Sequence, residues 1–386
     1  MSKDIIKRYK LKNGQTRYYF QLYLGIDPIS EKPIKTTRRG FKTIKEAKLE
    51  IARLKVSFEA GTHTTLKKRM KFKEVYELWL PIYETTVKES TFQVQSDVIR
   101  LHILPHFGNL YVDRITTAYC QEQTNNWHSY YKKYSNVIGL TQRILEYARL
   151  NLKLINDNPM NDVVRPKKKQ QLEEDVYEAP NYDKKQLNHF LSCVKQMEQQ
   201  AFVVFRIIAF TGMREGEVCG LRWSDFDEVN QTLSVKRTVA RGKGYKKIIQ
   251  PPKSLAGNRT IALDDETVKI LRNWKREQRK NMLAYGFNTN SPNQYIITNK
   301  ENEFQYAQYP YALLKSARKK FEFDPITVHG LRHTHCTLSF QAGATLKEMQ
   351  DRMGHEDEDM VLKIYLHVNQ EAKAKIGNQF AAFLAQ

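Results

Sequence analysis

Cysteine is scarce in this 386-residue chain, and the four thiols at Cys120, Cys193, Cys219 and Cys336 never fall into Cys-x-x-Cys spacing. A disulfide-stapled scaffold and a cysteine zinc site are thereby excluded, and reduced thiols inside a cell are the expectation. Long apolar runs are absent as well: none approaches the roughly 18 residues of a membrane span, and Met1 to Lys12 is charged along its length. A soluble, cytoplasmic protein with no membrane partner is expected. Internal repeats and low-complexity tracts are also missing. Carboxylates are in deficit, with 42 Asp plus Glu against 63 Lys plus Arg, a formal net charge of +21. A surface of that sign attracts polyanions, which suits nucleic-acid, ribosome or membrane-surface binding and by itself says nothing of fold.

The surplus is uneven. Residues 1–70 hold 18 basic and 6 acidic residues, over half of the whole excess, which marks the first segment as a polyanion-binding module. Within it, residues 5–11 and 17–24 alternate polar and apolar on either side of Asn13-Gly14, a pair suited to the positive φ of a tight turn, so a β-hairpin is predicted. Residues 34–39 supply a third strand after Asp27-Pro28. Thr43 and Glu46 then make a capping box for a helix with Ala47, Ile51, Leu54 and Phe58 on one face. Beyond a basic linker at 61–69, the period of Phe72, Val75, Leu78, Trp79 and Ile82, and that of Leu145, Ala148, Leu152 and Ile155, predicts a helical unit interrupted at Pro105 and Gly108. Pro159, Pro166 and the charge block at 167–175 mark a second linker. From about Tyr182 onward, short strands near 232–237, 246–250 and 259–263 sit among helices. The fold class expected is multidomain and mainly α with small β elements. Its parts are an N-terminal three-stranded sheet with one helix at 1–62, a helical domain at 70–157, a linker at 158–177 and a mixed α+β domain at 178–386.

Five phrases in the last part of the chain combine phosphate-binding with proton-transferring residues. They are Thr211-Gly212-Met213-Arg214-Glu215-Gly216-Glu217, Pro252-Lys253-Ser254, His329-Gly330-Leu331-Arg332-His333, Met353-Gly354-His355 and, last, Tyr365. In this order and spacing, with Arg332 three positions after His329 and Tyr365 ten after His355, the set resembles the tyrosine recombinase family of phage and mobile-element integrases. Residues 102–108, His-Ile-Leu-Pro-His-Phe-Gly, resemble the family's core-binding domain, and residues 1–60 its sheet-type arm-binding domain, so nearly the whole chain is covered. Five ordered phrases are far more specific than any single motif. Met353 stands where leucine is usual, a volume-conserving exchange.

The resemblance implies a site-specific recombinase that cuts and rejoins DNA through a 3′-phosphotyrosyl intermediate, integrating and excising a mobile element or prophage. It implies Tyr365 as nucleophile, His329 as its base, Lys253 as proton donor to the leaving 5′ oxygen, and Arg214 and Arg332 on the nonbridging oxygens. His355 would bond the phosphate or hold its neighbours. The residue types suit the chemistry: guanidinium groups stay charged and fork onto phosphate oxygens, whereas a phenol is a weak nucleophile until a base takes its proton. No metal and no other cofactor is implied, because the covalent link conserves the energy of the broken bond. The implied partners are double-stranded DNA at core-type and arm-type sites and a homotetramer on that DNA, with room for an excisionase and a DNA-bending host protein. Arg17, Tyr19, Tyr23 and Arg38 would present the arm-binding surface. The expected location is the nucleoid of a bacterial cell. After Tyr365 a tail with Ile376, Phe380, Phe383 and Leu384 at helical spacing would pack on a neighbouring protomer or in cis.

Blander readings compete. Arg214 could pair with Glu217 one turn away as a surface pair, and Lys243, Lys246 and Lys247 share the region of Lys253. His333, His335 and Cys336 suggest a metal site but lack a fourth ligand. Glu217 and Asp225 do not make the acidic cluster of a two-metal nuclease. A type IB topoisomerase-like relaxing enzyme and a noncatalytic DNA-binding regulator remain as alternatives, against which the three-domain layout speaks.

Overall fold

Polar–apolar alternation at the start of the chain produces an antiparallel sheet of β1 (Ile6–Lys10), β2 (Thr16–Ile26) and β3 (Pro33–Phe41), in the order β1-β2-β3. The computed structural model describes residues 5–11, 14–26, 33–59, 69–166, 181–252, 257–354 and 358–368. Phe20, Leu22 and Leu24 of β2 are buried against Ala47 and Leu54 of α1 (Ile44–Glu59). The Glu46 N–H donates to Thr43 Oγ1 at 3.2 Å, and the Glu46 carboxylate receives the Lys42 N–H at 2.8 Å. The expected box therefore forms, with Lys42 as its outer member. The Phe58 side chain lies outside the described residues.

Two compact units follow from the packing: residues 1–81 with 99–166, and residues 82–98 with 167–386. In the first, α2 (Phe72–Thr86) buries Phe72, Val75 and Trp79, whereas Leu78 and Ile82 are 47% and 49% exposed. The buried stripe is narrower than expected: its buried apolar members are Phe72, Val75, Trp79 and Tyr83, at i, i+3, i+7 and i+11. A second difference concerns Pro105. After α3 (Glu89–Val98), Ile99–Ile103 makes a π-helical turn into α4 (Leu104–Phe107). Pro105 stands just after this π-helical turn, where the hydrogen-bond ladder is already irregular, and the helix runs on past it to Phe107 before Gly108. α5 (Thr117–Tyr130) and α6 (Tyr134–Leu150) complete this unit, with the Phe107 ring centroid 5.4 Å from Phe72 and 5.8 Å from Trp127. Residues 158–166, expected to begin the linker, pack on these helices instead. Met160 is buried, and Val164 exchanges hydrogen bonds of 2.8 and 2.9 Å with the Gln121 side chain.

The second unit is built around α8 (Gln199–Thr211), preceded by α7 (Lys184–Val194) and followed by α9 (Glu215–Cys219). Val203, Val204, Phe205, Ile207, Ile208 and Ala209 are all buried, so α8 is apolar nearly all round, the mark of an interior helix. β4 (Phe226–Asp227), β5 (Thr232–Val235), β6 (Thr238–Arg241), β7 (Lys247–Gln250) and β8 (Arg259–Ala262) form a β4-β5-β8 sheet and a separate β6–β7 hairpin. The strand expected at 232–237 ends at Val235, and the one beginning at Thr238 was not anticipated. α10 (Asp265–Ala284), α11 (Tyr309–Lys320), α12 (Val328–Gln341), α13 (Leu346–Met353) and α14 (Glu358–Val368) cover the remainder. All four cysteines are free and buried. Among the described residues no helix is long and apolar enough to cross a membrane.

Candidate active site and nucleic-acid interface

The chain leaves α8 through Gly212, whose φ of +66° reverses it toward Arg214. A Cβ at Gly212 would stand 2.6 Å from Met353 Sδ and 2.8 Å from His335 Cδ2, so the turn also requires the absence of a side chain. Arg214 then caps α9. Its N–H donates to Glu217 Oε2 and its Nη1 to Glu217 Oε1, both at 3.0 Å. This is the pairing foreseen as the bland reading of Arg214, but it is no surface pair: the Glu217 side chain is 2% exposed, and Arg259 of β8 grips it from the other side at 2.9 Å. Burial pushes the Glu217 carboxyl up, but the charge and hydrogen bonds of Arg259, joined by Arg214, outweigh it and hold the group below the usual carboxylate range.

Arg332 of α12 is 1% exposed. Its Nη1 donates to the Gly212 carbonyl, and its Nη2 donates to the Met353 carbonyl at 2.7 Å. His329, one turn earlier, is exposed, with its ring 4.6 Å from that of His333. His335 points inward. Its Nε2 accepts from Arg352 Nε at 2.9 Å, and because that donor has no other role, the ring proton resides on Nδ1 and goes to the Ala209 carbonyl at 3.0 Å. Burial first, and then the neighbouring Arg352 charge, lower the His335 pKa to about 3. His335 is thus a neutral bridge between α8 and α13. Among the described residues no group of three His, Cys, Asp or Glu is placed to hold a metal ion.

Tyr365 lies on α14, half-buried, with its ring edge-on to Phe340 at 5.3 Å, beside Cys336, Met349, Met353 and Val361. Lys253 and His355 lie outside the described residues, as does the tail after Val368. Two rivals of Lys253 are engaged elsewhere: Lys247 Nζ bonds Glu303 at 2.6 Å and the Phe304 carbonyl at 2.9 Å, and Lys243 Nζ bonds Glu84 at 2.9 Å. Sequence reasoning missed Arg259 and Arg352. A signal for Arg259 existed, since it stands two positions before the buried Ile261 and hence in phase with a core-facing slot, where a charge needs a buried counterion.

The N-terminal sheet separates its predicted contact residues. Phe20 pairs with Arg38, and Tyr19 with both Lys7 and Arg39, across an irregular step between Tyr18 and Tyr19. Arg17, Tyr19 and Tyr23 therefore share the outer face with Lys7, Lys35 and Arg39, whereas Arg38 lies on the face of Phe20. The irregular step between Tyr23 and Gly25 leaves Leu24 without a partner in β3 and sets this register, which alternation counted from sequence could not include. On the outer face the Arg39 guanidinium lies 5.2 Å from the Tyr19 ring centroid, and Tyr9 meets Tyr19 edge-on at 5.9 Å.

Comparison with known proteins bears on all three regions. A family model described as "Phage integrase family" matches residues 180–372, one described as "Phage integrase, N-terminal SAM-like domain" matches 71–128, and an "Arm DNA-binding domain" model matches 6–58. The ICEBs1 integrase of Bacillus subtilis is 26% identical over 371 residues, covering 93% of this chain and 95% of its own. The integrase of Staphylococcus phage L54a is 26% identical over 333 residues, covering 79% and 90%. Among solved structures, the Tn1549 transposon integrase in complex with transposon right end DNA shares the fold with a TM-score of 0.61 at 22% identity, over 80% of this chain and all of that one. A lambda integrase tetramer bound to a Holliday junction does so with a TM-score of 0.55 at 17% identity, over 94% and 96%.

Proposed function

The chain belongs to the phage integrase family and is a tyrosine site-specific recombinase, and from that premise we propose that Tyr365 attacks a DNA phosphodiester with Arg214, Lys253, His329, Arg332 and His355 around it. The Tyr365 oxygen bonds to phosphorus, the bond from phosphorus to the 5′ oxygen breaks, and a 3′-phosphotyrosyl link results. His329 takes the phenolic proton, and Lys253 gives one to the departing oxygen. Arg214 and Arg332 offset the charge that builds on the nonbridging oxygens; a guanidinium in a site as dry as that of Arg332 acts with little screening by water. A 5′ hydroxyl from another strand then attacks the phosphorus and releases the tyrosine.

One observation carries this reading: the Arg332 guanidinium holds the carbonyls of Gly212 and Met353, 120 and 21 positions away, which gathers the phrases of Arg214, Arg332 and His355 at one side chain. The substrate is double-stranded DNA. Residues 1–62 take arm-type sites, 70–157 the core site, and 178–386 the chemistry, in a homotetramer that integrates and excises a mobile element or prophage in the bacterial cytoplasm. Support for the assembly comes from the lambda integrase tetramer, which shares this fold. An excisionase and a DNA-bending host protein belong to the same reading, because one chain that grips two separated sites needs the DNA between them bent. The test is Tyr365→Phe on a nicked suicide substrate. DNA affinity is expected to stay and the covalent adduct to vanish; adduct at the wild-type level would falsify the assignment.

A further inference from the structure

Two guanidinium groups meet the C-terminal end of α13. A helix leaves its last four carbonyls without a partner along the helix. Here the Gln350 carbonyl takes the Gly354 N–H at 2.9 Å, the Arg352 carbonyl takes Arg259 Nε at 2.7 Å, and the Met353 carbonyl takes Arg332 Nη2 at 2.7 Å. Positive charge is favourable at that end of a helix. Arg352 is tied to β8 a second time, because its own Nη1 donates at 3.2 Å to the carbonyl of Ala262, the last residue of the strand that Arg259 begins. α13 is thus held to β8 at both ends of the strand.

Arg259 has a further edge. Its Nη2 donates to Glu217 Oε2 at 2.9 Å, and its Nη1 donates to Glu217 Oε1 and to the Gly257 carbonyl, both at 3.3 Å. Glu217 in turn receives the N–H and Nη1 of Arg214. Because the guanidinium plane of Arg259 is rigid, one group sets the angle between the α13 carbonyl and the Glu217 carboxylate. Arg332 directly, and Arg214 by way of Glu217 and Arg259, are therefore referred to adjacent carbonyls of the same helix end. A buried ion pair adds little net stability over apolar side chains of similar volume. What the fork adds here is direction.

We propose that Arg259 is a positioning residue for strand cleavage: by fixing Glu217 against the end of α13, it holds the Arg214 guanidinium in the orientation that lets it share one phosphate with Arg332. The inference rests on the reading of Arg214 and Arg332 as the groups that offset charge on the nonbridging oxygens. Arg259, 5% exposed, acts through Glu217 and not on the DNA.

That route supplies the test. The full chain is assayed on nicked suicide substrates whose scissile group is either the ordinary phosphate or a methylphosphonate, in which a methyl group replaces one nonbridging oxygen. The methylphosphonate is neutral, so its attack by tyrosine builds less charge for a guanidinium to offset. Arg259→Met is expected to slow the phosphate substrate on the order of 10²-fold, the scale of a small misplacement near the chemistry, and to cleave the methylphosphonate within a few-fold of the wild-type rate. A general loss of structure would slow both. Arg259→Lys keeps a cation beside Glu217 but not the planar fork; it stands in should the methionine variant fail to fold, with the same split expected. Equal slowing on both substrates, or no slowing on either, overturns the inference. Arg214→Ala is run alongside. If the methylphosphonate relieves Arg214→Ala but not the Arg259 variant, the positioning role alone fails; if it does not relieve Arg214→Ala, the reading of Arg214 fails and takes this inference with it.

Discussion

On the outer face of the N-terminal sheet Arg39 is exposed and lies over a tyrosine ring, whereas in the catalytic unit Arg332 and Arg259 are almost wholly buried and bonded to carbonyls and to Glu217. In the proposed arm-site role the sheet face would act through summed charge and stacking surface. Any one cation there can be replaced at modest loss, and salt weakens all of them together. The buried arginines act through geometry. Removing one strands a carboxylate or a pair of carbonyls out of reach of water, at a cost several times larger.

The contrast can be broken most sharply at Arg259. Arg259→Met leaves Glu217 buried with Arg214 as its one remaining arginine and is expected to cost about 3–5 kcal/mol, the range for breaking a buried pair. Urea unfolding measures it. Arg259→Met/Glu217→Leu should regain part of that stability and none of the cleavage rate, since Arg214 then loses the Glu217 carboxylate that receives its N–H and Nη1. A double variant that cleaves normally would reduce the Glu217 clamp to packing.

The next effect is expected at His335. Its folded-state pKa of about 3 lies below the 6.5 of the free side chain, so the unfolded chain takes up the proton first. Stability is then fully present above pH 6.5 and falls as pH drops from there toward 3, by at most about 1.4 kcal/mol per pH unit. Thermal unfolding across pH 7 to 4 tests this, with His335→Gln expected to lower stability at neutral pH and to flatten the acid limb. An unchanged acid limb in His335→Gln would place the acid sensitivity on another group.

The smallest effects belong to the sheet. Arg39→Ala should weaken arm-site binding several-fold and reduce the salt slope by about one, as for one lost phosphate contact. Arg38→Ala should leave that slope unchanged. Equal slopes for the two variants would erase the distinction between the faces. Deleting residues 1–62 should impair integrative recombination while core-site cleavage persists.

What was legible in the sequence divides along the same line. Local patterns gave the three strands, the capped helix and the stripe through Val75 and Trp79, because alternation and helical period depend on near neighbours. They missed the irregular step between Tyr23 and Gly25, and with it the faces of Arg38 and Arg39, since one extra residue inverts every pairing beyond it. The Arg214 and Arg332 phrases stood out as motifs, but their connection did not: the bonds from Arg332 to Gly212 and Met353, and from Arg259 to Glu217, join distant segments and have no signature in any window of sequence. Leu78 and Ile82 matched a helical period and remained exposed, because a period gives direction and not width.

The bonds of Arg332 also set an order of events during synthesis. Domains fold as they emerge, N-terminal first. The unit of residues 1–81 and 99–166 is complete once residue 166 is free, while the Arg332 bond to Met353 waits for the chain to reach position 353 and the proposed nucleophile for position 365. On the proposed reading a nascent chain would hold DNA long before it could cut it, and chains that end before position 365 would occupy sites without breaking a strand.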